Sequence, residues 1–428
     1  MNNESQMQNR EEKRSSMALI WLCWLVYSCS YIGKVNYSAN INLIQEYFQI
    51  ENYSTVGLAG TLFFFAYGVG QVVNGICCKK YNIKWIIFAS LMISGIINLI
   101  IPLLPVFEPI KYLWVVNGFS LSILWPTLIR LLAETLSKKY MAKASVIMGT
   151  TVAVGTFFVY GTSAAFATFT NFKASFYTAA AVLVVVAAVW ILFVSKTVEP
   201  LKDNKDETPT PVASGSLDAS VKTVDKKTIY LVVCVLAVCG VATNLIKDGL
   251  GTWVPSILKK MYGLDNSLSI ILTLVLPIVC IFGNAFAVSV HKRLNDFVYQ
   301  CALMFLISGA VIGVVIGGFS LNSFVLTLIG FAVVSLLVSS CNSLITSIFP
   351  LFMKGKVNSG LIAGVLNGFC YLGSTLSTYV LGRIADNHGW MTVFWVLLFV
   401  CGAVVALAVV YMTVRKFVIR AGFAQTKD

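Results

Sequence analysis

The chain contains apolar stretches that recur along its 428 residues, each about as long as a lipid bilayer is thick. A transmembrane helix needs about 20 predominantly apolar residues. Only 11% of the residues are charged and the mean hydropathy is +0.83, whereas an average soluble protein has about 25% charged residues. Because helices satisfy their own backbone hydrogen bonds in lipid, this pattern predicts an all-α protein that crosses a membrane many times.

Twelve transmembrane helices are predicted, with one long polar interruption near the middle of the chain. The predicted spans are residues 17–43, 54–77, 85–105, 111–134, 144–169, 175–195, 228–250, 266–290, 297–318, 322–350, 358–382 and 390–414. The interruption is rich in charge and proline, which is typical of a flexible linker. The predicted organisation is a cytoplasmic N-terminus (1–16), an N-terminal six-helix half (17–195), a cytoplasmic linker (196–227), a C-terminal six-helix half (228–414) and a cytoplasmic tail (415–428).

Lysine and arginine are concentrated in the segments on one side of the predicted membrane. In most membrane proteins such segments face the cytoplasm. The opposite side contains only Lys111, Lys173, Lys259, Lys260 and Arg383. Both termini are therefore predicted to be cytoplasmic. No small-residue cleavage site follows the first apolar stretch, so an uncleaved protein of the plasma (inner) membrane is expected.

The two predicted halves repeat one another in sequence. A shift of 213 positions brings five residues onto similar ones: Lys34 onto Lys247, Gly70 onto Gly283, Lys79 onto Lys292, Lys80 onto Arg293, and Asn82 onto Asn295. A constant offset over two spans is hard to obtain by chance from apolar composition. Parallel repeats of six helices are the layout of the major facilitator fold, whose substrate site lies near the membrane midplane between the halves.

Two lysines within apolar segments are the strongest functional candidates. A lysine at the bilayer centre costs about 2.5–3.5 kcal/mol on insertion scales, so Lys34 and Lys247 are expected to serve a function. Two like charges around one cavity repel each other when it is empty, and a bound anion would relieve that repulsion. The pair therefore predicts a binding site for a small-molecule anion.

Other side chains at helical spacing are predicted to shape this cavity. They are Tyr27, Tyr31, Tyr67, Gln71, Trp125, Thr151, Asn367 and Tyr371.

Asp248 is a candidate coupling group, and its side chain is predicted to point about 100° away from that of Lys247 along the helix. Gly249 and Gly251 are predicted to weaken the helix there. Arg130 and Glu134, four residues apart, are expected to form an ion pair.

Other classes of function lack supporting motifs. The eleven cysteines lie in or beside apolar segments without metal-site spacing, and both histidines, His291 and His388, are predicted to lie in loops. No nucleotide motif, and no nucleophile with a base, is present. The chain is therefore predicted not to be an enzyme, with no catalytic residue, cofactor, metal or nucleic-acid partner.

The chain resembles the organophosphate:phosphate antiporter family of the major facilitator superfamily over essentially its whole length. The resemblance rests on Tyr31–Tyr37, Ala66-Tyr67-Gly68, Trp125-Pro126 with Arg130, Lys247–Pro255, and Gly360–Asp386 through Tyr371. It implies a monomeric exchanger of phosphate and phosphate esters. In that family an arginine on helix 1 and another on helix 7 grip the phosphate, and their positions match Lys34 and Lys247.

Two further positions depart from the family pattern. A basic residue of helix 2 matches Gln71, and a histidine of helix 5 matches Thr151. Lysine is a point charge, whereas arginine offers a bidentate fork to phosphate. The expected function is therefore secondary active transport of a small organic anion, by exchange and alternating access. The alternatives are a proton-coupled carrier of a sugar acid or other metabolite, with Asp248 as the coupling group, and a transporter-like metabolite sensor.

Overall fold

A computed structural model describes residues 2–77, 82–167, 171–202, 226–353 and 359–425, and within them the regular structure is helical. The α-helices are α1 (Asn2–Ala39), α2 (Ile41–Tyr47), α3 (Tyr53–Cys77), α4 (Ile83–Ile100), α5 (Glu108–Leu121), α6 (Leu124–Thr135), α7 (Lys138–Gly149), α8 (Thr151–Ala167), α9 (Lys173–Lys202), α10 (Lys226–Tyr262), α11 (Asn266–Thr273), α12 (Val275–Cys280), α13 (Gly283–Leu294), α14 (Phe297–Ser320), α15 (Phe324–Ser343), α16 (Phe349–Phe352) and α17 (Ser359–Gln425). A 3₁₀ turn, Ile101–Leu103, follows α4, and a π-helical turn, Leu344–Ile348, joins α15 to α16.

Eleven helical segments in the described part of the chain are long and apolar enough to cross a membrane. The last of them, Ile362–Arg415, has 54 residues, about twice the length that a single span needs. Gly389 interrupts it with φ 77° and ψ 169°, a conformation that is essentially restricted to glycine. This segment therefore contains two spans, and the predicted all-α fold with twelve transmembrane helices is confirmed.

Helix α10 is longer and more regular than the sequence indicated. It runs from Lys226 to Tyr262, whereas the predicted span ended at residue 250. The helix is continuous through Gly249 and Gly251, which were predicted to weaken it. Gly249 instead permits close packing, since a Cβ at this position would lie 2.6 Å from Leu381 Cδ1 on α17.

Packing divides the chain into two compact units. The first contains Met1–Glu51, Leu58–Ala219 and Asn266–Pro277, and the second contains Asn52–Gly57, Ser220–Asp265 and Ile278–Asp428. Most of the predicted linker, residues 203–225, lies outside the described residues. Both units have buried aromatic cores, formed around Trp114 in the first and around Trp253, Phe331 and Phe394 in the second.

Close helix packing follows the sequence repeat. In the first unit a Cβ on Gly155 of α8 would collide with the carbonyl oxygen of Ser28 on α1. In the second unit a Cβ on Gly373 of α17 would collide with the carbonyl oxygen of Val241 on α10. Ser28 and Val241 are related by the same shift of 213 positions that relates Lys34 to Lys247. Each lysine-bearing helix therefore has, at the same repeat position, a backbone carbonyl group against which a glycine of a neighbouring helix packs, which supports the predicted repeat.

Candidate functional site

Lys34 lies half-buried on α1 against aromatic rings. Its Nζ atom is 4.0 Å from the ring centroid of Tyr67 on α3 and 5.1 Å from that of Tyr31, one turn away on α1. An ammonium within about 6 Å of an aromatic face is attracted to the ring quadrupole, by about 2 kcal/mol or more when it is desolvated. The rings therefore stabilise the charge of Lys34.

Two further aromatic side chains extend this arrangement. Tyr27 lies one turn before Tyr31 with ring centroids 5.6 Å apart, and it contacts Trp125 of α6 at 4.7 Å. We call Tyr27, Tyr31, Tyr67 and Trp125 the aromatic cluster. The structure thus brings Lys34 together with four aromatic residues of the predicted site, which lie on three helices.

Buried asparagines fix the helix that carries Lys34. Asn117 of α5 donates a 2.8 Å hydrogen bond to the carbonyl oxygen of Gly33. Asn36 on α1 donates one of 2.6 Å to Asn98 Oδ1 on α4. These three amide side chains have no exposed surface. Polar side chains that join helices in an apolar environment contribute about 0.6 kcal/mol each on average. Sequence reasoning missed this asparagine network, although amides within apolar spans were a visible signal.

Gln71 and Thr151 have their polar groups engaged elsewhere in the first unit. Gln71 Nε2 donates to the carbonyl oxygen of Ser122 at 3.0 Å. Thr151 has no exposed surface, and its hydroxyl donates to the carbonyl oxygen of Met148 on the preceding turn at 2.6 Å. Their placement thus shows interhelical and local bonding rather than a contact with Lys34.

Lys247 on α10 forms an ion pair with the neighbouring Asp248, whose Oδ1 is 3.4 Å from the lysine Nζ. The side chains are 31% and 19% exposed, respectively. The other carboxylate oxygen, Oδ2, accepts a short hydrogen bond from the hydroxyl of Ser374 on α17. The interpretation that the two side chains point apart was wrong, because the long lysine side chain folds back onto its neighbour.

Hydrogen bonds continue from Asp248 across three helices. Asn244 Nδ2 donates to Ser374 Oγ at 3.1 Å, and Asn342 Nδ2 of α15 donates to Asn244 Oδ1 at 2.7 Å. Thr346, in the π-helical turn, donates to the carbonyl oxygen of Asn342 at 2.8 Å. We call these five residues the carboxylate network. Sequence reasoning missed four of them, although Asn244 lies one turn before Lys247. π-helical turns occur frequently at functional sites.

The remaining predicted residues of the second unit lie on α17. Asn367 and Tyr371 are half-buried, and Tyr371 is one turn before Ser374. Its carbonyl oxygen accepts a 2.8 Å hydrogen bond from Thr375. Both residues therefore belong to the helix that also supplies the hydroxyl group on Asp248.

Two smaller predictions had opposite outcomes. The ion pair of Arg130 and Glu134 is confirmed, with Nε and Oε1 2.6 Å apart. The assignment of both histidines to loops was wrong, since His388 lies in α17 and His291 lies in α13. His291 is 8% exposed, and its Nδ1 lies 3.0 Å from Gln300 Oε1. An amide partner allowed this polar ring to be buried within the helical packing.

The repeat of spans and the lysine at the same repeat position in each unit define a class: multi-pass helical membrane transporters. The sequence profile of the Major Facilitator Superfamily matches residues 23–359, and the chain belongs to this superfamily. It is therefore a secondary transporter of the major facilitator type rather than an enzyme.

Curated relatives are distant. The chain is 23% identical over 387 residues to Sugar phosphate exchanger 3 of Homo sapiens, which covers 79% of this chain and 76% of that protein. It is 30% identical over 96 residues to the membrane sensor protein UhpC of Escherichia coli strain K12, a match that spans only 22% of each chain. These matches confirm the predicted resemblance to the organophosphate:phosphate antiporter family.

Solved structures share the fold. A bacterial homolog to the human lysosomal transporter Spinster, in its inward-facing and occupied conformation, aligns with a TM-score of 0.70 at 13% identity over 93% of this chain and 97% of that one. The D-xylose–proton symporter aligns with a TM-score of 0.70 at 10% identity over 92% and 97%. At such identities these likenesses show the architecture alone.

Proposed function

We propose that the protein moves a small organic anion across the membrane by alternating access, with exchange of one anion for another. The observation that carries this proposal is a lysine at the same repeat position in each unit, at a depth where a charge is costly. The similarity to Sugar phosphate exchanger 3 supports a phosphate ester as substrate. Lysine in place of the family's arginine offers charge without a bidentate fork, so carboxylates also fit.

Each predicted residue has a role in this proposal. Lys34 and Lys247 hold the anionic group. The aromatic cluster provides flat faces for the less polar body of the substrate, supported by the rings that already contact Lys34. The other four predicted residues shape the binding site indirectly. Gln71 and Thr151 do so through hydrogen bonds to backbone carbonyl groups, and Asn367 and Tyr371 do so through their positions on α17.

The cellular setting is part of the same proposal. The distribution of lysine and arginine supports a plasma (inner) membrane protein with both termini in the cytoplasm. The resemblance to the antiporter family supports a monomer.

The test is counterflow in proteoliposomes loaded with phosphate, measured as uptake of labelled phosphate and its inhibition by sugar phosphates and carboxylates. Lys34→Ala and Lys247→Ala should each abolish exchange in protein that remains folded. Lys173→Ala is the matched control, because Lys173 also lies over a tyrosine ring, 4.6 Å from the centroid of Tyr47, but at the start of α9. Unchanged exchange in both site variants would contradict the proposal.

A metabolite sensor is the second candidate, and the match to the membrane sensor protein UhpC favours it. A sensor would bind phosphate or a sugar phosphate saturably without exchanging it. Equilibrium binding that requires Lys34 and Lys247, together with no counterflow in the same preparation, would establish a sensor over a carrier.

The proton-coupled alternative depends on Asp248, a carboxylate within an apolar helix. It predicts uptake that is driven by an imposed pH gradient and lost in Asp248→Asn. Net uptake of substrate that carries no protons with it, measured as an unchanged external pH, would exclude obligatory proton coupling.

A further inference from the structure

Asp248 uses both of its carboxylate oxygens within the second unit. Oδ1 faces the Lys247 ammonium at 3.4 Å, and Oδ2 accepts from the Ser374 hydroxyl. A carboxylate held in this way has the charge and oxygen geometry of the anion that Lys247 would bind. The internal group and a substrate anion would therefore use the same ammonium protons.

We propose that Asp248 is an internal counter-anion that occupies Lys247 when no substrate is bound, and that Ser374 is the positioning residue that sets how strongly it does so. This inference rests on the proposed function, because it requires that the transported anion binds Lys247. A lysine left alone in an apolar helix is costly, and an adjacent carboxylate removes much of that cost. Substrate binding then exchanges one anionic partner of Lys247 for another.

The hydrogen-bond directions in the network support the role of Ser374. Asn342 donates to Asn244 Oδ1, which leaves the Asn244 amide group to donate to Ser374 Oγ. With its oxygen accepting from Asn244, the Ser374 hydroxyl has its own proton to donate. Its acceptors are Asp248 Oδ2 and, at the longer distance of 3.3 Å, the carbonyl oxygen of Cys370.

A donor on Oδ2 weakens the hold of Asp248 on Lys247, because the hydroxyl stabilises part of the negative charge. Without the Ser374 hydroxyl, the Asp248 carboxylate would pair more strongly with the Lys247 ammonium. Ser374 should therefore make Lys247 easier for a substrate anion to capture, although it touches neither the lysine ammonium nor, in this inference, the substrate.

Half-saturation for labelled inorganic phosphate in counterflow is the measurement. Asp248→Asn removes the competing charge and should lower half-saturation about two- to fivefold, the range expected for losing a partly exposed ion pair. Ser374→Ala should raise it by about two- to fivefold, as expected for a net hydrogen-bond contribution of about 0.5–1 kcal/mol. In the Asp248→Asn background, Ser374→Ala should have no further effect, because no charge remains to be tuned.

The matched control is Ser377→Ala. Ser377 is as buried as Ser374 on the same helix, and its hydroxyl donates to the carbonyl oxygen of Ser374 at 2.7 Å. It should leave half-saturation unchanged. The melting temperature of every variant identifies any loss of folding. Such a loss would lower the maximal rate, and it would not shift half-saturation in opposite directions in Asp248→Asn and Ser374→Ala.

The outcomes separate the inference from the proposed function. Phosphate exchange that does not depend on Lys247 would overturn both. Exchange that is lost in Lys247→Ala but has the same or a higher half-saturation in Asp248→Asn would overturn the internal counter-anion alone. An equal effect of Ser374→Ala with and without Asp248 would show that the serine supports packing only.

Discussion

Lys34 and Lys247 occupy the same position in the repeat but have different neighbours. The shift of 213 positions relates Tyr31 to Asn244 and Tyr67 to Cys280, so the rings around Lys34 have no aromatic counterpart in the second unit. It also relates Val35 to Asp248, so the carboxylate beside Lys247 corresponds to an apolar residue beside Lys34.

The chain therefore stabilises a lysine within an apolar helix in two ways, with aromatic rings at Lys34 and with a carboxylate at Lys247. Aromatic rings stabilise an ammonium through their quadrupole and carry no negative charge themselves. A carboxylate stabilises it by ion pairing, and it also neutralises the charge. We therefore expect the two lysines to respond to different changes: Lys34 to the loss of a ring, and Lys247 to the loss of the carboxylate.

Replacement of each lysine by alanine should have the largest effect on phosphate exchange. Lys34→Ala should lower phosphate exchange by about 100-fold or more, since loss of one partner of a desolvated charge contact costs about 3 kcal/mol. Lys247→Ala should lose exchange as well, and it also leaves Asp248 without its cation. Asp248→Asn in the Lys247→Ala background should therefore recover thermal stability, though not exchange. Equal melting temperatures of the single and double variants would contradict the ion pair.

Transplanting the carboxylate from one unit to the other should have the next largest effect. Val35→Asp places a carboxylate beside Lys34 at the position that corresponds to Asp248. It should raise the half-saturation for phosphate about fivefold by supplying Lys34 with a competing anion. Val35 is partly buried against the cluster of Ala39, Val159, Tyr160, Ala164 and Ile270, so Val35→Asn serves as the control for lost packing. Similar half-saturation in the two variants would indicate that charge at this position does not matter.

The ring over Lys34 should contribute less than the lysine itself. Tyr67→Leu removes the aromatic face 4.0 Å from Nζ, and Tyr67→Phe retains it without the hydroxyl. Loss of a cation–π contact of about 1 kcal/mol should weaken phosphate binding about fivefold in Tyr67→Leu. Tyr67→Phe should remain close to the unaltered protein in the same assay. A large defect in Tyr67→Phe would assign the role to the hydroxyl instead.

The sequence predicted the parts of this site that depend on one helix or on composition. Apolar length identified the spans, and helical spacing placed Tyr27, Tyr31 and Lys34 on one face. The partners Ser374 and Asn342 were missed because their contact with the residues of α10 depends on how helices are rotated against each other. That rotation is set by packing, for example where Gly373 lies against Val241, and no periodicity along a single helix encodes it.

Substitutions in the asparagine network of the first unit and in the carboxylate network of the second should have the smallest effects. The first should change stability, and the second should change half-saturation. Asn117 holds the backbone of α1 at Gly33, so Asn117→Ala should lower stability by about 0.6 kcal/mol, or about 1 °C in melting temperature, with half-saturation unchanged. Asn342 reaches Asp248 only through Asn244 and Ser374, and it is half-buried. Asn342→Ala should therefore shift half-saturation about twofold with a smaller loss of stability, because it loosens the amide that orients the serine. Reversal of these two patterns would mean that the first unit, rather than the second, tunes its lysine through hydrogen bonds.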